Sequence, residues 1–373
     1  RLQIPYRNTF RGAEIYYLRR FKKMKNTKKI LSVIMAALLV ATGALMASCE
    51  KKEDGGAYKL PIVCGEIGMN DTCGVATYGV DYYNLGVKAG DMAADILLDG
   101  ADVSAMPVAT DPNPALSVNK TVADEIGFTI PESVLAKAGD GASSMNVERQ
   151  NDAIVSDGAD FTVGILQLVQ HVALDKSNEG FVDELSVRMK EAGKTVNILS
   201  ENAAGDQSNN TTIATTFVSK KVDLIYAIAT SSAQAAASAT TEIPVLFCAV
   251  TDPVSAGLVD SMDVPGGNVS GVSDINPVSD QIDLIAELLG KDDIKIGLLY
   301  TSAEANSVFQ IELAKKECEA KGYKYEVKGI GDINDIEAAF ISLGAAGVDA
   351  VYIPTDNVLA NGAANIHSVN IGG

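Results

Sequence analysis

The sequence has no tryptophan and only two histidines, His171 and His367, far apart in the chain. That scarcity removes the imidazole clusters of most metal sites and leaves no Ser–His–Asp or Cys–His arrangement to argue for. Cysteine is sparse too: Cys49, Cys64, Cys73, Cys248 and Cys318, with no CxxC pair. Cys64 and Cys73 could bridge in an oxidising exterior, although connectivity cannot be read from spacing, and Cys248 in its apolar run reads as core filler. No GxGxxG follows a strand-like run, and no GxxxxGK followed by Ser or Thr occurs. Dinucleotide and nucleoside-triphosphate chemistry therefore lack their usual signals. No metal, no cofactor and no catalytic residue is expected.

Positive charge is the other shortage. The first 48 residues hold ten Lys or Arg against one acid, so the remainder carries 20 basic and 47 acidic residues, a net −27. Phosphate backbones need a basic face, so nucleic acid is not an expected partner. The basic N-terminus has its own logic. Residues 1–23 read as a non-native upstream extension, with Met24 as the start. Lys25, Lys28 and Lys29 precede an apolar run, Ile30–Leu45, and small residues Ala47-Ser48 precede Cys49. This pattern predicts a signal peptide over 24–48, a lipidated Cys49 and a polar tether over 49–57. The chain is then expected on the outer face of the bacterial cytoplasmic membrane.

The body of 373 residues is long enough for two domains. The stretch 222–253 shows the plan. An apolar run, Val222–Ala229, ends in Thr230-Ser231-Ser232, an Ala-rich helical stretch follows, and Val245–Val250 ends in Thr251-Asp252-Pro253. Two short apolar runs joined by one helix make a βαβ crossover of a parallel sheet buried on both faces. Strand-like runs at 162–169, 196–200, 294–300, 323–329 and 348–353 alternate with helical patterns in the same way. Residues 58–140 show one strand-like run, Leu60–Cys64, and a long helical pattern at 82–98. Residues 141–160, rich in Gly, Ser, Asp and Asn, read as a linker. The reading is α/β, with lobes at 161–291 and 292–373, the latter completed by residues from 58–140.

Several segments together carry a resemblance: GILQLVQHVALD (164–175), ENAAGDQSNN (201–210), DLIYAIATSSAQAA (223–236), IPVLFCAVTDPVSAGLV (243–259), PGGNVSGVSDINPV (265–278), LLYTSAEANS (298–307) and YIPTDN (352–357). They resemble the substrate-binding lipoproteins of a bacterial ABC importer family whose better-known members bind tryptophan or tyrosine. The resemblance implies two doubly wound parallel-sheet lobes with a hinge, of the type I periplasmic binding protein kind. It also implies a monomer that captures a small ligand, an aromatic amino acid, between its lobes and delivers it to a membrane permease. The order departs from the family pattern. A stretch like residues 59–86 lies near the family's C-terminus but comes first here, so the chain reads as a circular permutant with 141–160 joining the old ends. A ligand sensor without a transporter, or an enzyme on the same fold, is the alternative. The enzyme would need an acid–base pair or cofactor loop that the sequence does not offer.

In open α/β sheets ligands meet the loops after the strands, which selects the candidate residues. A ligand carboxylate suits the helix start at Thr230 and Ser231, with Ser302, Asn306 and Ser307 facing from the other lobe. Helix capping explains each of these hydroxyls and amides equally well. The ammonium needs an acid: Asp356, beside Thr355, is the first choice, with Asp252, beside Thr251, and Glu66 as the others. Gln167, His171, Leu174 and Tyr300 are expected to line the side-chain pocket, with Tyr78 and Phe247 as further aromatics.

Overall fold

The computed structural model describes residues 57–138 and 152–372. The expected upstream extension, signal peptide, Cys49 and nearly all of the tether lie outside them, as do residues 141–151 of the expected linker. The chain first forms β1 (Ile62–Cys64), α1 (Ile67–Cys73), β2 (Ala76–Gly79), α2 (Tyr82–Asp99), β3 (Ala115–Val118), α3 (Lys120–Ile126) and α4 (Glu132–Leu135). A regular alternation follows: β4 (Phe161–Gln167), α5 (Val172–Glu191), β5 (Val196–Asn202), α6 (Gln207–Lys220), β6 (Leu224–Ile228), α7 (Thr230–Ala239), β7 (Val245–Cys248) and β8 (Val269–Val272). It resumes as α8 (Val278–Leu289), β9 (Lys295–Thr301), α9 (Ala305–Lys321), β10 (Lys324–Ile330), α10 (Ile336–Ala345), β11 (Ala350–Ile353), α11 (Asn357–Asn361) and α12 (Ala363–Ile371).

These strands build two sheets. One is wholly parallel, in the order β5-β4-β6-β7-β8; the other runs β10-β9-β11-β1-β2-β3, parallel except for β3. The apolar runs are central strands covered on both faces. All five residues of β6 and all four of β7 and β11 are buried, as both-sided cover in a βαβ fold requires. Helix ends follow their local chemistry: Asp81 and Asp206 accept bonds from the first free N–H groups of α2 and α6, and Gly100, Gly290 and Gly322 terminate helices in the left-handed region. Strands β2, β3 and β8 were not anticipated. They are four residues each, and their Thr, Gly and Ser content hides them from a periodicity reading.

The lobes do not divide as the sequence suggested. Helix α2 packs along α5 and against β7 and β8, so residues 82–99 belong to the five-stranded lobe although β1, β2 and β3 belong to the other. Helix α8 packs on β1, β2 and α9, which places the crossing between β8 and α8 and not at residue 292. The strand alternation restarts at 294, but the helix before it has already changed lobes. The α2–α5 contact is unusually close because glycines remove side chains from it. A Cβ on Gly86 would strike the Ser177 carbonyl, and one on Gly180 the Tyr83 carbonyl. Beneath them Phe181 stacks on Tyr226 with ring centroids 3.8 Å apart.

Among the described residues three segments cross between the lobes: Val80–Asp81, residues 110–114, and Ser273–Pro277. Side chains tie two of them together. Val80 N–H donates to Asn276 Oδ1 at 3.2 Å, and the Tyr82 hydroxyl donates to Asp274 Oδ2 at 2.6 Å. Short extended crossings with no sheet of their own are where a two-lobed molecule bends.

The strand orders carry one further relation. Counted in chain order, the five-stranded sheet runs second-first-third-fourth-fifth. Counted from β9, with β1, β2 and β3 placed after β11, the six-stranded sheet runs second-first-third-fourth-fifth-sixth. The chain's end also meets its described beginning: Lys59 N–H donates to the Asn370 carbonyl at 3.0 Å, and Asn370 Nδ2 donates to the Leu60 carbonyl at 2.8 Å.

Candidate ligand-binding site

Each lobe turns the carboxyl ends of its strands toward the other, and the loops there enclose a cavity of about 10 Å³, room for about one water. The five-stranded lobe supplies Tyr82, His171, Leu174, Ala249 and Asp274; the six-stranded lobe supplies Glu66, Asn306, Thr355, Asp356, Asn357 and Ala360. His171 Nε2 lies 3.3 Å from Asn357 Oδ1, and Gln310 Nε2 lies 3.5 Å from Thr251 Oγ1, both contacts running between lobes. Burial holds the His171 imidazole below its ordinary value.

The chemistry of the cavity is acidic. Glu66, Asp274, Glu304 and Asp356 are 2%, 2%, 8% and 3% exposed. Among the described residues none of the four makes a salt bridge with a Lys or Arg; Lys176, which lines a larger cleft together with Glu66, pairs with Glu179. Burial pushes the Glu66 carboxyl up to about 7 even though the N–H groups of Gly68 and Met69 donate to it, each at 2.6 Å. Burial and the charge of Asp356 push Glu304 to about 7 as well. Asp274 and Asp356 are raised by burial, against the hydrogen bonds they accept.

These acids are not equivalent. Asp356 accepts from Thr301 N–H (2.6 Å), Thr301 Oγ1 (2.8 Å), Ser307 Oγ (2.6 Å) and Leu359 N–H (2.9 Å). Glu304 accepts from the N–H groups of Asn357 and Val358 and from the amides of Asn357 and Asn306. Both are committed to binding the loop after β9 to the start of α11. Asp356, the first choice for an ammonium, is thus a brace whose lone pairs are largely occupied. Glu66 accepts only two N–H bonds, as the cap of α1, and each oxygen keeps free acceptor capacity. Asp274 accepts one bond on each oxygen, from Thr251 Oγ1 at 3.0 Å and from Tyr82.

Of the residues selected from sequence, Glu66, His171, Leu174, Asn306, Thr355 and Asp356 come together at the cavity. Ser307 and Thr251 stand one residue behind, on Asp356 and Asp274. Gln167 braces its own loop, donating to Val169 O and Asp175 Oδ1 and accepting from Asn178. Asp252 caps Val254 and Ser255, the competing reading for it. Tyr300 lies against Gly329, and exposed Ser302 bonds the Ile330 carbonyl, so both leave the site. Phe247 is core. Thr230 and Ser231 open α7 beside the cleft without lining the cavity; Thr230 Oγ1 is buried with no partner.

Tyr82, Ala249, Asp274, Asn357 and Ala360 line the cavity without having been selected. Asp274 had a signal only as a residue of the segment PGGNVSGVSDINPV that carries the resemblance, just past β8. Ala249 had none: its φ of +57°, like the +83° of Ala229, is visible only in the structure. Left-handed alanines at the ends of β6 and β7 are strained turns of the sort that gather at binding sites.

Residues 18–141 and 162–371 match the family model of the ABC transporter substrate binding protein. The tyrosine-binding protein of Clostridioides difficile is 39% identical over 222 residues, 60% of this chain and 63% of that protein. The chain therefore spans less than two thirds of that relative's length. Among solved structures, an ABC domain in complex with L-Trp from Streptococcus pneumonia is 37% identical, with a TM-score of 0.50 over 56% of this chain and 70% of that one. A conserved domain protein from Vibrio cholerae is 34% identical, with a TM-score of 0.51 over 56% and 72%. The family is one of transport binding proteins, not of enzymes, and among the described residues no helix is long and apolar enough to cross a membrane. Two parallel-sheet lobes, a crossing hinge and a site between them agree with that match: the chain belongs to the ABC transporter substrate binding protein family.

Proposed function

We propose that the protein is the extracytoplasmic solute-binding component of an ABC importer, holding an aromatic amino acid between its lobes. The observation that carries this reading is the set of buried carboxylates at the cleft that, among the described residues, make no salt bridge. An unpaired buried charge is costly, and a ligand ammonium beside Glu66 and Asp274 relieves the cost. For the ligand carboxylate the better-placed helix start is that of α5, where His171 makes no side-chain cap bond and Leu174 reaches the cavity. The pocket of about 10 Å³ where the lobes meet admits no amino acid, and it shares Glu66 and Tyr82 with a larger cleft of about 990 Å³; a ligand touching both lobes at the small pocket requires them to part at their crossings. Both lobes touch the ligand only when closed, and that differential contact shifts the population toward the closed form for delivery to a permease. The names of the tyrosine-binding relative and the L-Trp complex support an aromatic side chain. A thermal-shift panel of amino acids, purines and sugars tests the reading. L-tyrosine or L-tryptophan is expected to raise the melting temperature by several degrees; silence across the panel from a folded protein would defeat it.

The same reading includes a permuted chain order, anchored outside the cytoplasmic membrane through Cys49. Its support is the shared strand order of the two sheets and the contact of residues 59–60 with Asn370. In a family-ordered chain α12 would run directly into β1, an ordinary helix-to-strand connection. A gene that joins Gly372 to Ala57 and opens the chain within 139–151 is expected to give the same melting temperature and ligand response. Failure of that variant to fold would contradict the permutation.

A further inference from the structure

We infer that Cys64 and Cys73 are the two halves of a structural disulfide that closes the turn carrying Glu66. Cys64 is the last residue of β1 and Cys73 the last of α1, nine positions on, and their sulfurs lie 4.0 Å apart. Both side chains are fully buried. Each thiol is the other's hydrogen-bond partner, so joining them replaces a contact already made and adds no buried polar group. The sulfurs must close by about 2 Å to reach bonding distance. The surroundings hold the pair in register. Thr77 Oγ1 donates to the Cys64 carbonyl, β1 pairs with β11 and β2 on either side, and the Gly74 N–H donates to Asn70 O at 3.1 Å. The remaining described cysteines make a built-in contrast: Cys248 lies beside Ser177 and Tyr226, and Cys318 is packed in the apolar core of the six-stranded lobe.

Formation is oxidation by thiol–disulfide exchange with a small-molecule disulfide or a disulfide oxidase. One cysteine thiolate attacks the oxidant's disulfide and expels a thiolate. The second cysteine thiolate attacks the mixed disulfide and expels the other. The protein loses two protons and two electrons, and the oxidant leaves as two thiols. Burial raises the Cys64 thiol well above its ordinary value, which leaves it unreactive once the lobe has closed. Exchange therefore belongs to the period when β1 and α1 are assembling, in an extracytoplasmic compartment, and to that extent it rests on the export proposed above. The bond would hold Glu66 in place by tethering both flanks of its turn, so that its carboxylate is set before any ligand arrives.

The test needs no ligand, so its outcome is separable from that of the binding reading. The full chain is refolded in a glutathione redox buffer, trapped by alkylation under denaturing conditions and mapped by mass spectrometry. The expected result is a loss of about 2 Da in one disulfide-linked pair, Cys64 with Cys73, with Cys49, Cys248 and Cys318 alkylated. Reduction by dithiothreitol is expected to lower the melting temperature of the wild type by about 5 °C and to leave Cys73→Ser unmoved. Alkylation of both Cys64 and Cys73 at every redox ratio, or a linkage through Cys248 or Cys318, would overturn the inference.

Discussion

Replacing Glu66 by Gln is expected to weaken binding of L-tyrosine or L-tryptophan by about 100-fold, while the ligand-free protein keeps or gains stability at pH 7.5. The two effects have one origin. Glu66 is 2% exposed and caps α1 through two N–H bonds, yet burial still pushes it to about 7. Its charge is thus held against a desolvation cost that the caps do not fully offset. Gln keeps one carbonyl acceptor for the cap, gives up the second N–H bond and removes the charge, so the loss of one cap bond is set against relief of the buried charge. The bound ligand loses its charge-assisted partner in a site sheltered from water, where such a loss is severe. Calorimetric titration and melting curves of the two proteins check both halves. Binding within threefold of wild type would remove Glu66 from the site.

The second large effect is on pH. Glu66 and Glu304 each stand at about 7 in the folded protein, above the ordinary glutamate value of 4.5. Between those values the folded chain binds more protons than the unfolded one. The stability these groups contribute is full below about 4.5 and is lost as pH rises through 7. Asp274 and Asp356 act in the same direction. For each glutamate the loss is up to about 3 kcal/mol. A ligand ammonium stays charged across this window and favours the ionised carboxylates, so it restores what ionisation removed. The ligand-induced rise in melting temperature is therefore expected to grow from pH 5 to pH 7.5, with affinity rising by up to about tenfold per pH unit for each proton released. Calorimetric melting curves across that range, with and without ligand, give the comparison. A ligand-induced shift that is flat or shrinks with rising pH would show that no cation meets these acids.

Much of the architecture was legible because it rests on continuous apolar runs. Residues 224–228, 245–248 and 350–353 are buried throughout, and a strand covered on both faces leaves that mark in sequence. Strands β2 and β3 left no mark, being short and hydroxyl-rich, and α2's allegiance to the five-stranded lobe depends on backbone contact at Gly86 and Gly180. A missing side chain does not announce its neighbour. The site divides similarly. The rule that ligands meet the carboxyl ends of strands selected Glu66, His171 and Asp356, which line the pocket, but could not distinguish an acid that braces a loop from one with acceptor capacity to spare. Asp356 and Glu66 look alike in sequence and differ by their donors: four against two. Asp252 and Ser302 show the converse, with capping and loop bonds absorbing groups that a position-based reading assigned to a ligand.

In the proposed complex an ammonium is held by buried carboxylates between the two lobes. Calorimetric titration of wild-type protein with L-tyrosine and with its des-amino analogue, 3-(4-hydroxyphenyl)propionate, tests that directly at pH 7.5. The amino acid is expected to bind and the analogue to show no measurable heat, since it brings a second anion to an acidic cleft and no cation. Equal affinity for the two compounds would contradict the account.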